Sequence, residues 1–225
     1  MKDKILQSFT IDSAMPPFTI PGRMTQPAKA VKVGKAPVID SKMVQGEWPG
    51  EFHTLNREPS RMAASSTPVL VKFSYDNKNI YIGANITMFD PSNIIKGSTW
   101  EKNDGLEVAI AGKTSKGNPA NFVVRIYPDG TIQSLTVAGA PVESAKRLEK
   151  EVRFITMINQ PQRGGKGWSC EMAIPVEILG IKPGPGLKVA FNMTAYCNEY
   201  GKWHCWEGTQ SESWNLDQAG TLLFE

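Results

Sequence analysis

Apolar and polar residues alternate with a period of two along most of the chain after residue 68. This alternation predicts β-strands, because successive side chains of a strand point to opposite faces of a sheet. Turn-forming residues separate the runs, as in Asp76-Asn77 and Pro128-Asp129-Gly130. The runs are VLVKFSY, IYIGANITMF, GLEVAIAG, NFVVRIY, TIQSLTVA, VRFITMI, WSCEMAIP and LKVAFNMTAY. Short strands at this spacing predict an all-β sandwich or barrel.

The sequence pattern contains very little helix and no internal repeat. Residues 176–179 follow Pro175, which can open a helical turn, and are the one short helix candidate. Residues 1–36 hold four prolines and little periodicity, which predicts an N-terminal extension or linker. Residues 37–225 then form a single β-sandwich module, of immunoglobulin size or slightly larger.

Strand parity divides the side chains between two faces, because the apolar set must point inward. In three strands the inward sets are Leu106, Val108 and Ile110; Phe122, Val124 and Ile126; and Val189, Phe191 and Met193. The opposite, outer face then carries Glu107, Arg125 and Asn192, with Tyr127 and Thr194.

Two of these strands should form a hairpin, since only the loop KTSKGNPA separates them. Its centre near Lys116 places Glu107 opposite Arg125, each nine positions away. The pair has two interpretations. It is either a surface ion pair, contributing about 0.2 to 1 kcal/mol, or a polar clamp for vicinal hydroxyls of a sugar.

Two tryptophans lie in polar loops, Trp100 in GSTWEKND and Trp214 in QSESWNLD. A tryptophan face packs well on the C–H face of a pyranose, while planar polar side chains bind the hydroxyls around it. The alternative is a ring that seals a loop against the sandwich. Trp168 shares its parity with Cys170 and Met172, which predicts a core position, and Trp48 is expected to anchor the first loop.

The charges exclude some partners. The chain has 25 basic and 22 acidic residues, for a net charge of +3, and no basic block that would favour nucleic acid. No apolar run approaches the roughly 18 to 20 residues of a membrane span.

The three cysteines have two interpretations. Cys197 and Cys205 flank the predicted turn NEYGKWH, so these two either form a disulfide or are, like Cys170, buried free thiols.

The sequence offers few groups of residues that could act together in catalysis. His53 and His204, the two histidines, lack neighbours that would complete a zinc site or a triad. Asp104 and Glu107 are three residues apart along one strand, which puts them on opposite faces and not in a glycosidase pair. We therefore expect a protein that is not an enzyme.

Five motifs in order resemble the family 9 carbohydrate-binding modules, over roughly residues 37–225. They are PVIDSKMVQGEW, VKFSYDNKNIYIGANITMFD, STWEKNDGLEVAI, CEMAIPVEILGIKPGPGLKVAFNM and SESWNLDQAGTLLF. The sequence departs from the family at Ser41, where a glycine is usual, and at residues 211–213, where an asparagine would be expected.

The resemblance implies a two-sheet, antiparallel, jelly-roll-like β-sandwich that binds the end of an oligo- or polysaccharide for an attached or partner glycoside-active enzyme. Trp100 and Trp214 would clamp a terminal sugar, Glu107 and Arg125 would bind its hydroxyls, and Asn192 shares their outer face. No cofactor is required, and Asp40, Asp90 and Asp104 are candidate oxygen donors for structural calcium. A sugar-binding role would place the protein outside the cell or in the periplasm.

Three alternatives remain open from the sequence. One is a b-type haem electron-transfer domain of the same sandwich clan, with Met or His as axial ligands. The second is a small glycan-active enzyme, and the third is a module without a ligand.

Overall fold

The structure is a computed structural model, and it describes residues 26–44, 46–60, 64–88, 90–158 and 166–225. The strands are β1 Ala28–Lys32, β2 His53–Arg57, β3 Ala64–Tyr75, β4 Asn79–Met88, β5 Gly105–Lys113, β6 Pro119–Ile126, β7 Ile132–Leu135, β8 Arg153–Ile158, β9 Lys166–Pro175, β10 Lys188–Cys197, β11 Lys202–Cys205 and β12 Gly220–Phe224. One α-helix, α1, spans Val142–Glu151, and 3₁₀ turns lie at Pro91–Asn93 and Asn198–Tyr200.

The strands form an all-β sandwich, as predicted. They pair in the order β7-β6-β5-β10-β11-β2-β3-β4-β9-β8, with β1 and β12 joining β3 to β10. Most pairs are antiparallel, but β1 runs parallel to both β3 and β12. Within the described ranges, the structure has no helix with the length and apolar character needed to span a bilayer.

The core is filled by the inward positions that parity predicts. Phe73 of β3 packs edge-to-face on Phe191 of β10, with ring centroids 5.2 Å apart, so two strands that are not hydrogen-bonded neighbours meet in the core. Trp168 is buried in the same cluster, as are Met172 and Met193. Trp48 is buried in a smaller cluster with Tyr81, which agrees with its expected role as a loop anchor.

Strand β1 lies inside the segment expected to be an extension. Its register places Ala30 beside Phe73 of β3 and Phe224 of β12, and Ala30 is buried. The sheet therefore includes residues before the expected module start at Pro37. Residues 1–25, which carry most of the prolines behind that expectation, lie outside the described residues.

The helix prediction was wrong in position. Residues 176–179 form a single turn, which ends where Gly180 adopts φ 59° and the Ile181 N–H donates to the Val176 carbonyl. This 6→1 bond closes a Schellman motif, which stops a helix. The actual helix, α1, begins after Pro141 and buries Ala145 and Leu148. That three-residue spacing was a helical signal in the sequence.

All three cysteines are buried free thiols. In the β10–β11 hairpin, Cys197 is opposite Lys202 and Cys205 is opposite Thr194. An offset of three residues puts the two thiols on opposite faces, so the register does not permit the disulfide alternative. Burial raises the pKa of each thiol, that of Cys205 to about 12.

The first loop is held by a buried carboxylate on β9. Glu171 accepts backbone hydrogen bonds from Asp40, Ser41 and Met43, each 2.7 Å long. Ser41 and Met43 adopt φ 67° and 36°, so the backbone N–H groups curve around the carboxylate. Ser41 therefore adopts the left-handed conformation that glycine accommodates most readily, at the position where the resemblance leads one to expect a glycine.

Candidate functional site

The candidate site begins on the outer face of the sheet formed by β6, β5 and β10. The register aligns Arg125, Glu107 and Thr194 across these strands, which confirms the predicted opposition of Glu107 and Arg125. Arg125 Nε donates to Glu107 Oε2 at 2.7 Å. Glu107 is only 1% exposed, so the interpretation as a solvent-exposed surface ion pair is wrong.

A loop residue completes the surroundings of Glu107. The Ser213 hydroxyl donates a short hydrogen bond to Glu107 Oε1, so both carboxylate oxygens are bound. Burial raises the pKa of Glu107, while the positive charge of Arg125 and the Ser213 hydrogen bond act in the opposite direction. The carboxylate thus connects the sheet to the loop that contains Trp214.

Trp100 lies over this ion pair. The Arg125 guanidinium carbon is 4.5 Å from the centroid of the Trp100 ring, which is a cation–π distance. Gly105 makes room for the ring: a Cβ atom there would lie 3.1 Å from Trp100 Cζ3 and 3.2 Å from Tyr127 Cδ1. One face of the half-buried indole is therefore in contact with the positively charged guanidinium of Arg125.

Asp104 holds the loop that carries Trp100. Its buried carboxylate accepts from the Ile95 N–H at 2.8 Å and from the Asn198 N–H at 3.0 Å. Burial raises its pKa, although both hydrogen bonds favour the charged form. Asn198 begins the turn between β10 and β11, so Asp104 links the Trp100 loop to that hairpin.

The aromatic ring that contacts Trp100 is Trp203, which is not among the residues predicted from the sequence. The two centroids are 5.5 Å apart at an interplanar angle of 65°, and Trp203 also packs against Tyr196 at 4.9 Å. Tyr196 and Trp203 are opposite each other in the β10–β11 hairpin. The hairpin symmetry that paired Glu107 with Arg125 could have found this pair around the turn NEYG.

A cleft of about 180 Å³ opens beside the two tryptophans. Its lining combines aromatic, hydroxyl and carboxylate side chains from four parts of the chain: Pro59, Trp100, Glu101, Trp203, Ser211, Glu212 and Ser213. The serine and glutamate residues include those at positions 211–213, where the sequence departs from the resembling family. Such a lining can stack on an apolar ring face and bind hydroxyl groups.

Trp214 and Asn192 occupy the neighbouring part of the outer face. The half-buried Trp214 ring packs on a cluster that contains Ala109, Val123 and Leu216. Asn192 points outward as predicted but is 1% exposed, because the chain after β11 covers it. Its Nδ2 donates to the carbonyls of Glu207 and Ser213, and its Oδ1 accepts from the Glu207 N–H. Asn192 thus holds the loop of Trp214 in place.

Of the candidate calcium donors, Asp40 lies in the first loop, whereas Asp90 and Asp104 both adjoin the turn that contains Asn198 and Glu199. Asp40 accepts from the Lys42 N–H, Asp90 from the Ser92 N–H, and Asp104 from the two amides described above. Across the described ranges, no group of three or more acidic, histidine or cysteine side chains is arranged to hold a metal ion. Structural calcium held by these aspartates stays an expectation from the sequence.

Comparison with solved structures identifies the fold. A family 9 carbohydrate-binding module from Caldicellulosiruptor kristjanssonii, in complex with cellotriose, matches with a TM-score of 0.61 and 17% identity over 89% of this chain and 94% of that one. Its complex with glucose matches with a TM-score of 0.60 and 16% identity, over 88% and 95%. A protein from Bacteroides uniformis matches with a TM-score of 0.59 and 16% identity, over 89% of this chain and 99% of that one.

These likenesses establish that the chain has the fold of the family 9 carbohydrate-binding modules. They confirm the resemblance drawn from the five sequence motifs at the level of the fold. No family model and no curated protein matches the sequence.

Proposed function

We propose that the chain is a non-catalytic carbohydrate-binding module that holds a terminal sugar of an oligo- or polysaccharide against Trp100. The observation that carries this proposal is the supported indole: its ring rests on the Arg125–Glu107 pair and lines an open cleft. The protein would thereby keep an attached or partner glycoside-active enzyme near its substrate.

The supported ring suits a sugar for two physical reasons. Arg125 covers one face of Trp100, so a pyranose would stack on the other face with its axial C–H bonds. The cleft of about 180 Å³ is smaller than the roughly 300 Å³ at which drug-sized ligand pockets begin. It therefore suits one sugar unit better than several, in keeping with recognition of a chain end.

Trp214 would be the second ring of the clamp. Ser213, the residue before it, binds Glu107 and thereby joins the Trp214 loop to the ion pair below Trp100. Arg125 lies against the other face of Trp100 and its Nε is bound by Glu107, so it would hold in place the ring that the sugar contacts. Asn192 would act indirectly, by holding the backbone of Ser213.

Calorimetric titration with glucose and cellotriose tests the proposal. Trp100→Ala and Trp214→Ala should each lower affinity, by roughly 30-fold for a central tryptophan contact worth about 2 kcal/mol. Val142→Ala on α1, which is 56% exposed, is the control and should bind as the parent does. Unchanged affinity in both tryptophan variants, or no binding of neutral saccharides by the parent, would overturn the proposal.

A further inference from the structure

The contact between Trp100 and Trp203 restricts what these two rings can do. A sugar held between parallel rings needs carbon contacts of about 3.5 to 4.0 Å on both sides, which sets the rings about 7 to 8 Å apart. The centroids of Trp100 and Trp203 are 5.5 Å apart, and the rings are inclined at 65°. They touch each other and form a corner with no space for a sugar between them.

Both sides of this corner line the same cleft, together with Glu101 and residues 211–213. A pyranose stacked on the face of Trp100 would therefore meet Trp203 with its edge. The cleft volume of about 180 Å³ favours contact with a single unit over contact with two successive units.

The position of Trp203 is firmly defined by its neighbours. It is half-buried on β11, opposite Tyr196 of β10, and packs against that ring at 4.9 Å. Tyr196 is in turn opposite Gly105, whose missing side chain admits Trp100. The corner is thus built on three adjacent strands, which gives it the rigidity that a preformed binding surface needs.

From these contacts we infer that Trp203 is a further binding residue that contacts the edge of the same terminal sugar that stacks on Trp100. The inference rests on the proposed carbohydrate-binding function and adds a third tryptophan to its site. It assigns the second side of the cleft to β11, a strand that carries neither Trp100 nor Trp214.

Trp203→Ala and Trp203→Phe, titrated with glucose and with cellotriose, test the inference. Because Trp203 contacts the first sugar unit, the alanine variant should lose affinity for both ligands by the same factor, about three- to tenfold. The phenylalanine variant keeps an aromatic edge and should lose less. Unchanged affinity for both ligands, or a loss confined to cellotriose, would overturn the inference while leaving the proposed function intact.

Labelling the six tryptophans with 5-fluorotryptophan provides a second readout, which keeps both indole rings at the site. Fluorine NMR signals, assigned with single Trp→Phe variants, should shift for Trp100 and Trp203 on addition of glucose, whereas Trp168 in the core should not respond. A shift of Trp100 without Trp203 would show that Trp203 only positions its neighbour, which contradicts the inference. If no tryptophan signal shifts and glucose does not bind, the proposed function itself fails.

Discussion

Two buried carboxylates lie on separate strands of the sandwich and have different kinds of partner. Glu171 on β9 is fully buried and accepts three backbone hydrogen bonds from the loop that contains Asp40, Ser41 and Met43. Glu107 on β5 is nearly as buried, but its partners are the side chains of Arg125 and Ser213 beside an open cleft. The backbone partners of Glu171 make it a residue that stabilises the fold. The side-chain partners of Glu107 instead lie next to the cleft, where their positions can affect a bound ligand.

The largest effect should come from Glu171→Ala. Removing the carboxylate leaves three backbone N–H groups without their acceptor, and a single unsatisfied buried donor costs about 1 to 3 kcal/mol. The free energy of unfolding should fall by about 3 kcal/mol in a denaturant titration. Glu171→Gln keeps one acceptor oxygen and should lose less.

Glucose affinity should be nearly unchanged in the folded Glu171→Gln variant, since its contacts are remote from the cleft lining. If this variant loses sugar binding while its stability is unchanged, the division between a structural and a functional carboxylate is wrong.

Glu107→Gln should have the next largest effect, this time on binding. The neutral amide no longer offsets the charge of Arg125, so the guanidinium is held less firmly below Trp100. We expect roughly tenfold weaker binding of glucose, with Glu171→Gln as the matched control. Binding that equals that of the parent would show that the ion pair is only structural.

The two carboxylates also differ in how far sequence could predict their partners. Hairpin symmetry about Lys116 is local, and it sufficed to place Glu107 opposite Arg125. The partners of Glu171 lie 128 to 131 residues away in the chain, and no alternation pattern encodes such a contact. The burial of Asn192 also depends on residues outside its strand, since its partners Glu207 and Ser213 lie 15 and 21 positions further along the chain.

The strand pattern itself was highly predictive, since the core-facing side of β5 and β6 takes a large apolar side chain at every second position. It could not identify Trp203 as a neighbour of Trp100, because β11 and the Trp100 loop meet only after the sheet is assembled. The inclination of the two rings is likewise a property of the three-dimensional fold.

The pH dependence of binding should show the ionisation of Glu107. Burial raises its pKa above the ordinary 4.5, while Arg125 opposes the shift and the nearby Glu212 adds to it. On acidification, glucose affinity should therefore begin to decline at a higher pH than an ordinary glutamate would cause. The decline should be a few-fold, and it should not exceed the loss of affinity in the Glu107→Gln variant.

The same raised pKa has the opposite effect on stability. The folded chain binds this proton more tightly than the unfolded chain, so the free energy of unfolding falls as pH rises from 4.5 through the folded pKa. Titrations across pH 4 to 7 should show no such decline of affinity in Glu107→Gln. A parent affinity that does not change with pH would contradict the assignment to Glu107.

The smallest effect should be a preference between neutral and acidic sugars. Glu101 and Glu212 line the cleft and are exposed, so they repel a uronate carboxylate through solvent-screened interactions. Glucuronic acid should bind about two- to threefold more weakly than glucose at low ionic strength, and added salt should reduce the difference. A double Glu101→Gln and Glu212→Gln variant should remove it, whereas Glu171→Gln should not. Tighter binding of glucuronic acid would show instead that the charge of Arg125 dominates the cleft despite its pairing with Glu107.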